Sequence, residues 1–326
     1  MTRAPTEAEV RAARDVLRRH AGDEDGLSRS YPAFAVDDAY RACLPDMQRD
    51  GRVLGADLPI QHVGIAGFRV PMRVATRAGE QTVPVTVTGT VGLAAGRKGI
   101  DMSRIMRGFY AQADAGVRFA TADAVVDGFL RELGASEARL LLSFPLALRQ
   151  PSLRSDMEGW QYYDAGIEAA EVGGRRHGIA HLDYVYSSTC PCSLELAEHA
   201  RRTRAQLATP HSQRSVARLS VETDGTTTPE DLVALCRHAV PTETQVLVRR
   251  PDEQAFAELN AAHPVFAEDA ARLFAEGIAA LPGAGDFRVA VSHQESLHSH
   301  DAIAVVSRGA LFPPEALDLR ALAPRG

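Results

Sequence analysis

Two stretches of strict alternation, one short turn apart, constrain this chain more than any other feature. Residues from His62 to Val74 and from Gln81 to Val91 alternate and are rich in β-branched side chains, the pattern of strands that bury one face. Gly79 and Glu80 are expected to supply the turn between them, which makes the pair a hairpin. Helical spacing of Ile, Met, Phe, Val and Leu follows over Asp101–Asp114 and Thr121–Leu133, with Thr121 the expected N-cap of the second helix. Alternation returns over Arg139–Arg149 and Trp160–Ala169. The order is strand, strand, helix, helix, strand, strand.

The rest of the chain repeats the theme less regularly. Strands are expected over Gly178–Tyr186 and Ser215–Glu222, with a helix between them over Ser193–Leu207. Pro229–His238 predicts a helix with Glu230 and Asp231 in its first turn, where carboxylates complement the helix dipole. Helices over Glu253–Asn260 and Phe266–Leu281 precede a final strand pair, Phe287–Val291 and Ala302–Val306. Strand pairs with helices inserted in pairs, without strict βαβ alternation, argue for an antiparallel α+β architecture built twice. The expected division is an N-terminal arm over 1–60, a first module over 61–174 and a second over 175–326, with the boundary near Gly173-Gly174-Arg175-Arg176. Within the arm, Glu7–His20 reads as an amphipathic helix and the polar stretch after it as poorly packed.

Composition removes several classes. No apolar run approaches the ~18 residues of a membrane span, and the Arg- and Glu-rich N-terminus has no apolar core of a secretory signal. A net charge of −6 gives no general affinity for nucleic acid or anionic lipid. Four cysteines in 326 residues are no disulfide scaffold and point to a reducing cytoplasm. Of 36 basic residues only Lys98 is lysine. A compact ammonium beside glycines suits a phosphate differently from a guanidinium.

Three constellations carry chemistry. Cys190-Pro-Cys192 sits where a strand ends and a helix begins. The two thiols are too close for a comfortable disulfide, and a helix N-terminus favours thiolate as ligand or nucleophile. Two ordinary small residues at a helix start is the plainer alternative. Glu295-Ser-Leu-His298-Ser-His300, with His293 just before it, suits a zinc, manganese or iron site or a solvated His-rich loop. His211-Ser-Gln213-Arg214-Ser215 adds another His before a strand, and Asp252-Glu253 open a helix, where carboxylates are common for dipole reasons alone; each is weak separately. Lys98-Gly-Ile-Asp101-Met-Ser103-Arg104 places a Lys, a Ser and an Arg at a helix start, either a phosphate cradle or a basic loop capping a helix.

In this order these segments resemble one family, the type IB GTP cyclohydrolase I enzymes with their archaeal, cyclic-phosphate-forming relatives. Val63-Gly-Ile-Ala-Gly-Phe-Arg-Val-Pro71 is similar to the family's opening strand, and Lys98-Gly-Ile-Asp-Met-Ser-Arg104 to its Lys-Gly-Thr-His-Met-Ser-Arg. Ser188-Thr-Cys-Pro-Cys-Ser193, His211-Ser-Gln-Arg-Ser215, Phe266-Ala-Glu-Asp269 and Glu295-Ser-Leu-His298-Ser-His-Asp-Ala302 resemble the remaining blocks. The likeness runs from about His62 to Ser307.

The resemblance implies tandem tunnelling-fold (T-fold) modules in a homotetramer, with active sites between subunits. It implies a metal-dependent reaction with Zn, Mn or Fe(II): water attacks C8 of GTP, formate leaves, and the ribose recloses to 7,8-dihydroneopterin triphosphate. It makes Cys190 a metal ligand, with His211, Glu253, Glu295 and His298 the other groups around the metal, and Cys192 a contact of the purine near the reacting carbon. It makes Glu268 the anchor of the guanine edge, and leaves Lys98, Asp101, Ser103, Arg104, Gln213, Arg214 and Ser215 for the triphosphate and ribose. Three departures stand out: Asp101 in place of the family's His, Ser212 in place of Asn, and a long 194–210 connection. Asp101 is a plain cap, or it changes the steps after ring opening and diverts the product to a formamidopyrimidine or a cyclic-phosphate pterin. A non-catalytic purine-binding protein of the same fold is the alternative of another class.

Overall fold

A computed structural model describes residues 6–19, 36–45 and 52–317. The chain divides into two units, Met1–Gly51 and Arg52–Gly326. The first unit contains α1 (Glu7–Arg19) and α2 (Asp38–Cys43). Helix α1 begins at a reciprocal cap, Glu9 N–H donating to Thr6 Oγ1 at 3.3 Å and Thr6 N–H to Glu9 Oε2 at 2.7 Å. It confirms the amphipathic helix up to Arg19; His20 and most of the polar stretch lie outside the described residues.

The second unit is one eight-stranded antiparallel sheet whose strands lie side by side in sequence order. The strands are β1 (Ile60–Thr76), β2 (Gly79–Leu93), β3 (Ala138–Pro151), β4 (Glu158–Val172), β5 (Arg175–Thr189), β6 (Ser212–Thr223), β7 (Ala284–His293) and β8 (Ala302–Arg308). Helices α3 (Met102–Tyr110) and α4 (Phe119–Leu133) fill the β2–β3 connection, and α5 (Pro191–Arg204) fills the β5–β6 connection. Helices α6 (Pro229–Ala239), α7 (Arg250–Ala262) and α8 (Ala267–Ala279) lie between β6 and β7.

Alternation decides the two faces of the sheet. On β5 and β6, Leu182, Tyr184, Tyr186, Ala217, Leu219 and Val221 are buried in the core with Phe129 of α4 and Phe274 of α8. The Phe274 ring meets the edges of Tyr184 and Tyr186 at 6.1 and 5.8 Å, which seats α8 on the sheet. Of the residues between them, which face the other way, Asp183, Arg218 and Ser220 are polar and Val185 is not. Arg139 bonds Glu168 at 3.0 Å, Glu168 meets His181 at 3.2 Å, and His181 meets Ser220 at 2.9 Å.

Three local expectations need correction. The first hairpin turns on Arg77-Ala78, not on Gly79-Glu80, and Thr76 pairs with Gly79. Arg77 is held from outside: its N–H donates to Glu230 Oε2 at 2.9 Å and its guanidinium pairs with Asp231. Gly79, at φ +128°, adopts the backbone that lets β2 start there. Thr121 is not a cap. Helix α4 starts two residues earlier with Arg118 at the N-cap, and Thr121 is buried within the helix. The helix after the cysteines spans Pro191–Arg204, ended by Ala205 in the left-handed conformation, because Pro is already suited to a first helical position. Gly173-Gly174 forms the two-residue turn of the β4–β5 hairpin, both at positive φ, and the sheet runs on through it.

Candidate active site at one end of the sheet

In a sequence-ordered antiparallel sheet, β5 and β7 finish at the end where β6 begins. Thr189 pairs with Ser212, and Ser215 with His293. Three polar segments leave the sheet there and are tied together by backbone hydrogen bonds. Cys190 N–H donates to the His211 carbonyl at 3.2 Å, and Gln294 N–H to the Arg214 carbonyl at 3.1 Å. Val265 N–H donates to the Thr189 carbonyl at 3.0 Å, which brings the start of α8 alongside.

His211 Nδ1 lies 3.0 Å from Gln213 Oε1 and 3.4 Å from Glu295 Oε2. That Glu295 oxygen is buried and has no hydrogen-bond partner; the contact with His211 is an ion-pair distance without bond geometry. Beneath the pair lies a closed polar network. Gln213 Nε2 donates to Ser188 Oγ at 2.8 Å, Ser188 meets Ser215 at 2.7 Å, and Thr189 meets Ser212 at 2.7 Å. Cys190, half-buried, is the N-cap of α5, with no side-chain capping bond. Its thiol therefore sits at the positive end of the helix dipole. Cys192 is exposed on the first turn.

The structure thus brings the His211 and Glu295 side chains together and ties the Cys190 backbone to His211, with Gln213 and Ser215 buried just below. Glu253 is exposed on the first turn of α7, and His298 is exposed in the β7–β8 connection, its ring stacked on His300 at 4.9 Å. Among the described residues, no three His, Cys, Asp or Glu side chains come close enough to hold a metal ion. Glu268 is exposed in the first turn of α8, where the helix dipole favours its charge. Arg214 is exposed on β6.

Two residues were under-read from sequence. His293 is no member of a solvated loop: it ends β7 on the inward face, and its Nε2 meets the Tyr186 hydroxyl at 2.8 Å. Burial pushes its pKa down to about 4, with the Glu268 carboxylate pulling the other way. The alternation Phe287, Val289, Val291, His293 was the signal for its inward position. Asp252 is fully buried and accepts from Ser155 Oγ at 2.5 Å and from the N–H groups of Arg249, Arg154 and Ser155, each at 2.8 Å. The Ser155 hydroxyl first, and then those backbone donors, hold its carboxyl far below the usual range against the effect of burial. It fastens the β3–β4 connection to α7.

The Lys98–Arg104 segment is elsewhere. It follows β2, at the end of the sheet where β4 finishes and β5 begins. At a rise of ~3.3 Å per residue, the length of β5 separates it from Cys190 by on the order of 40 Å. Lys98 Nζ donates to the Arg52 carbonyl at 3.1 Å, and Arg104 Nη1 to the Glu132 carbonyl at 3.2 Å. Asp101 caps α3, its Oδ1 accepting from Ser103 N–H at 2.9 Å and Ser103 Oγ at 2.7 Å. Its Oδ2 lies 3.4 Å from both Arg104 and Arg107. The Ser103 hydroxyl and the two guanidinium groups hold the Asp101 carboxyl below its ordinary value.

Comparison with known proteins agrees with the motif order. The profile of the family described as "Type I GTP cyclohydrolase folE2" matches residues 44–304. A GTP cyclohydrolase FolE2 from Paracoccus denitrificans is 57% identical, covering 90% of this chain and 92% of its own. One from Cereibacter sphaeroides is 53% identical, covering 98% of this chain and 96% of its own. Among solved structures, a uricase from Arthrobacter globiformis aligns with 78% of this chain and 96% of its own at 11% identity and TM-score 0.45, a likeness too loose to argue from. Family and not fold likeness therefore decides the class. The chain belongs to the type I GTP cyclohydrolase folE2 family.

Proposed function

We propose that this chain is a metal-dependent GTP cyclohydrolase that hydrolyses C8 of GTP, releases formate and yields 7,8-dihydroneopterin triphosphate. Family membership over most of the chain supports the activity. The observation that carries the site is the buried, unpartnered Glu295 Oε2 beside His211. A buried carboxylate oxygen without a partner is costly unless a cation neutralises it. Thiolate, imidazole and carboxylate together form a donor set that Zn, Mn or Fe(II) accepts. Cys190, His211 and Glu295 would hold the ion, with Glu253 and His298 as further candidates. Such an ion, when bound, lowers the pKa of a water so that hydroxide is available near neutral pH.

The remaining steps belong to side chains. Glu268 accepts N–H bonds from N1 and the 2-amino group of guanine, a charge-assisted pair that fixes the purine edge. Cys192 contacts the purine near C8. Lys98, Ser103, Arg104 and Arg214 are exposed and suit the triphosphate and ribose. Because Lys98 and Cys190 lie at opposite ends of one sheet, a site using both takes them from different copies, which supports a homotetramer with intersubunit sites. The repeated strand-pair and helix order supports tandem T-fold modules over 61–174 and 175–326, after an arm over 1–60. No described helix is long and apolar enough to cross a membrane, and we place the enzyme in the cytoplasm.

Purified protein incubated with GTP and each metal, with products resolved by mass, tests the reading. One formate and one 7,8-dihydroneopterin triphosphate per GTP supports it. A formamidopyrimidine or cyclic-phosphate product would support the diverted chemistry, and no formate under any metal would leave a purine-binding protein. Cys192→Ala should abolish turnover while the metal content stays near normal.

A further inference from the structure

His211, Gln213 and Ser215 alternate at the start of β6, so their side chains share one face of the strand. Gln213 is buried at 8% exposure and Ser215 is fully buried, which removes both from any solvent-borne phosphate. The amide is engaged at both ends. Its nitrogen donates to Ser188 Oγ at 2.8 Å, itself bonded to Ser215 Oγ at 2.7 Å, and its oxygen lies 3.0 Å from His211 Nδ1. Glu295 Oε2, 3.4 Å away, faces the same ring nitrogen. Only the Gln213 oxygen makes a hydrogen bond there, and because an amide oxygen can only accept, that bond places the proton on His211 Nδ1.

We propose that Gln213 is a positioning residue that holds His211 in the Nδ1–H tautomer and leaves Nε2 as the metal-binding nitrogen. The proposal rests on the reading of His211 as a metal ligand. Ligating imidazoles commonly donate their second ring N–H to a carboxylate or carbonyl that fixes ring orientation. Here an amide oxygen does so, adding no second negative charge beside the buried Glu295 oxygen.

The test uses the full chain, with Zn(II) as the probe. In metal-free protein labelled with 15N at histidine, His211 should show a protonated Nδ1 and a bare Nε2. Gln213→Leu should let the ring redistribute between tautomers and weaken Zn(II) binding by about 10–100-fold in competition with a chelating dye. The KM for GTP at saturating Zn(II) should stay near wild type. Gln213→Glu, which keeps an acceptor oxygen at the same reach, should recover the tautomer and most of the affinity. If Gln213→Leu does not fold, Gln213→Asn, which withdraws the oxygen by one methylene, is read the same way. A bare Nδ1 in the wild-type protein overturns the proposal. So does a leucine variant with unchanged tautomer and Zn(II) affinity but a raised KM, which would put Gln213 on the substrate. Retention of Zn(II) by His211→Ala would remove the ligand reading instead, and the tautomer measurement would still stand by itself.

Discussion

The Lys98–Arg107 segment and the Cys190–Glu295 cluster are both polar and lie at opposite ends of one sheet, yet they are built on contrary principles. In the first, each charge named already has a partner within the protein. Asp101 serves Ser103, Arg104 and Arg107, and Lys98 and Arg104 are spent on backbone carbonyls. In the second, the hydroxyls and the amide are satisfied but the carboxylate is not, and Glu295 Oε2 is left buried without a bond. Self-satisfied charge stabilises a fold, whereas an unsatisfied buried oxygen is costly until something neutralises it. The difference separates an end whose charges are partnered within the protein from an end that leaves one carboxylate oxygen unpartnered.

The strongest way to break this comparison is to strip each end in turn. Cys190→Ala, His211→Ala or Glu295→Gln should lower Zn(II) affinity by more than about 100-fold, beyond the effect of an outer partner, and activity should fall with it. Lys98→Ala should leave metal content intact and raise the KM for GTP. Metal analysis with steady-state kinetics checks both, and metal loss in the lysine variant would erase the distinction. Glu268→Ala sharpens it at the substrate. Binding of GTP should weaken by about 2–4 kcal/mol, as for a desolvated charged contact, and that of inosine triphosphate, without the 2-amino donor, by much less. Equal losses in a titration would remove Glu268 from the guanine edge.

Smaller effects are expected from the self-satisfied groups. Asp101→Ala should cost about 1 kcal/mol in urea unfolding, as loss of an N-cap does. Asp101→His should leave the product spectrum unchanged if capping is its whole role; a shift toward 7,8-dihydroneopterin triphosphate would assign it a part after ring opening. The smallest concerns Glu168. Burial raises its carboxyl, but the His181 hydrogen bond and the charges of His181 and Arg139 outweigh this, and the net shift is below 4.5. A depressed folded-state value contributes stability that is present above the unfolded value and lost as pH falls through the folded one. Unfolding free energy should therefore decline below about pH 4.5, and Glu168→Gln should flatten that acid limb, as urea unfolding across pH would read.

Much of the sheet was legible because alternation is a local property. All eight strands stand over the segments expected to be strands, and His293 continues a period that Phe287 begins. The hairpin turn was misplaced because its position is set by Glu230 and Asp231, more than 150 residues away in sequence. Thr121 failed as a cap because packing of the helix against the sheet outweighed local capping preference. At the site, the residue types were visible in the motifs, but their convergence is a matter of register. Cys190 and His211 meet only because Thr189 pairs with Ser212 across the α5 connection. Asp252 was read as a dipole-favoured helix-start residue, since nothing local announces that Ser155 will close over it.

The sequence-ordered sheet also bears on how the molecule comes into being. Every strand after β1 has as its first neighbour the strand made just before it. A chain emerging at ~5–20 residues per second therefore presents each new strand with an edge already synthesised. The three helical insertions delay β3, β6 and β7, but the entropy of closing such loops grows only with the logarithm of their length. No strand beyond the first has to expose an unpaired edge while waiting for a later one to supply its earliest hydrogen bonds.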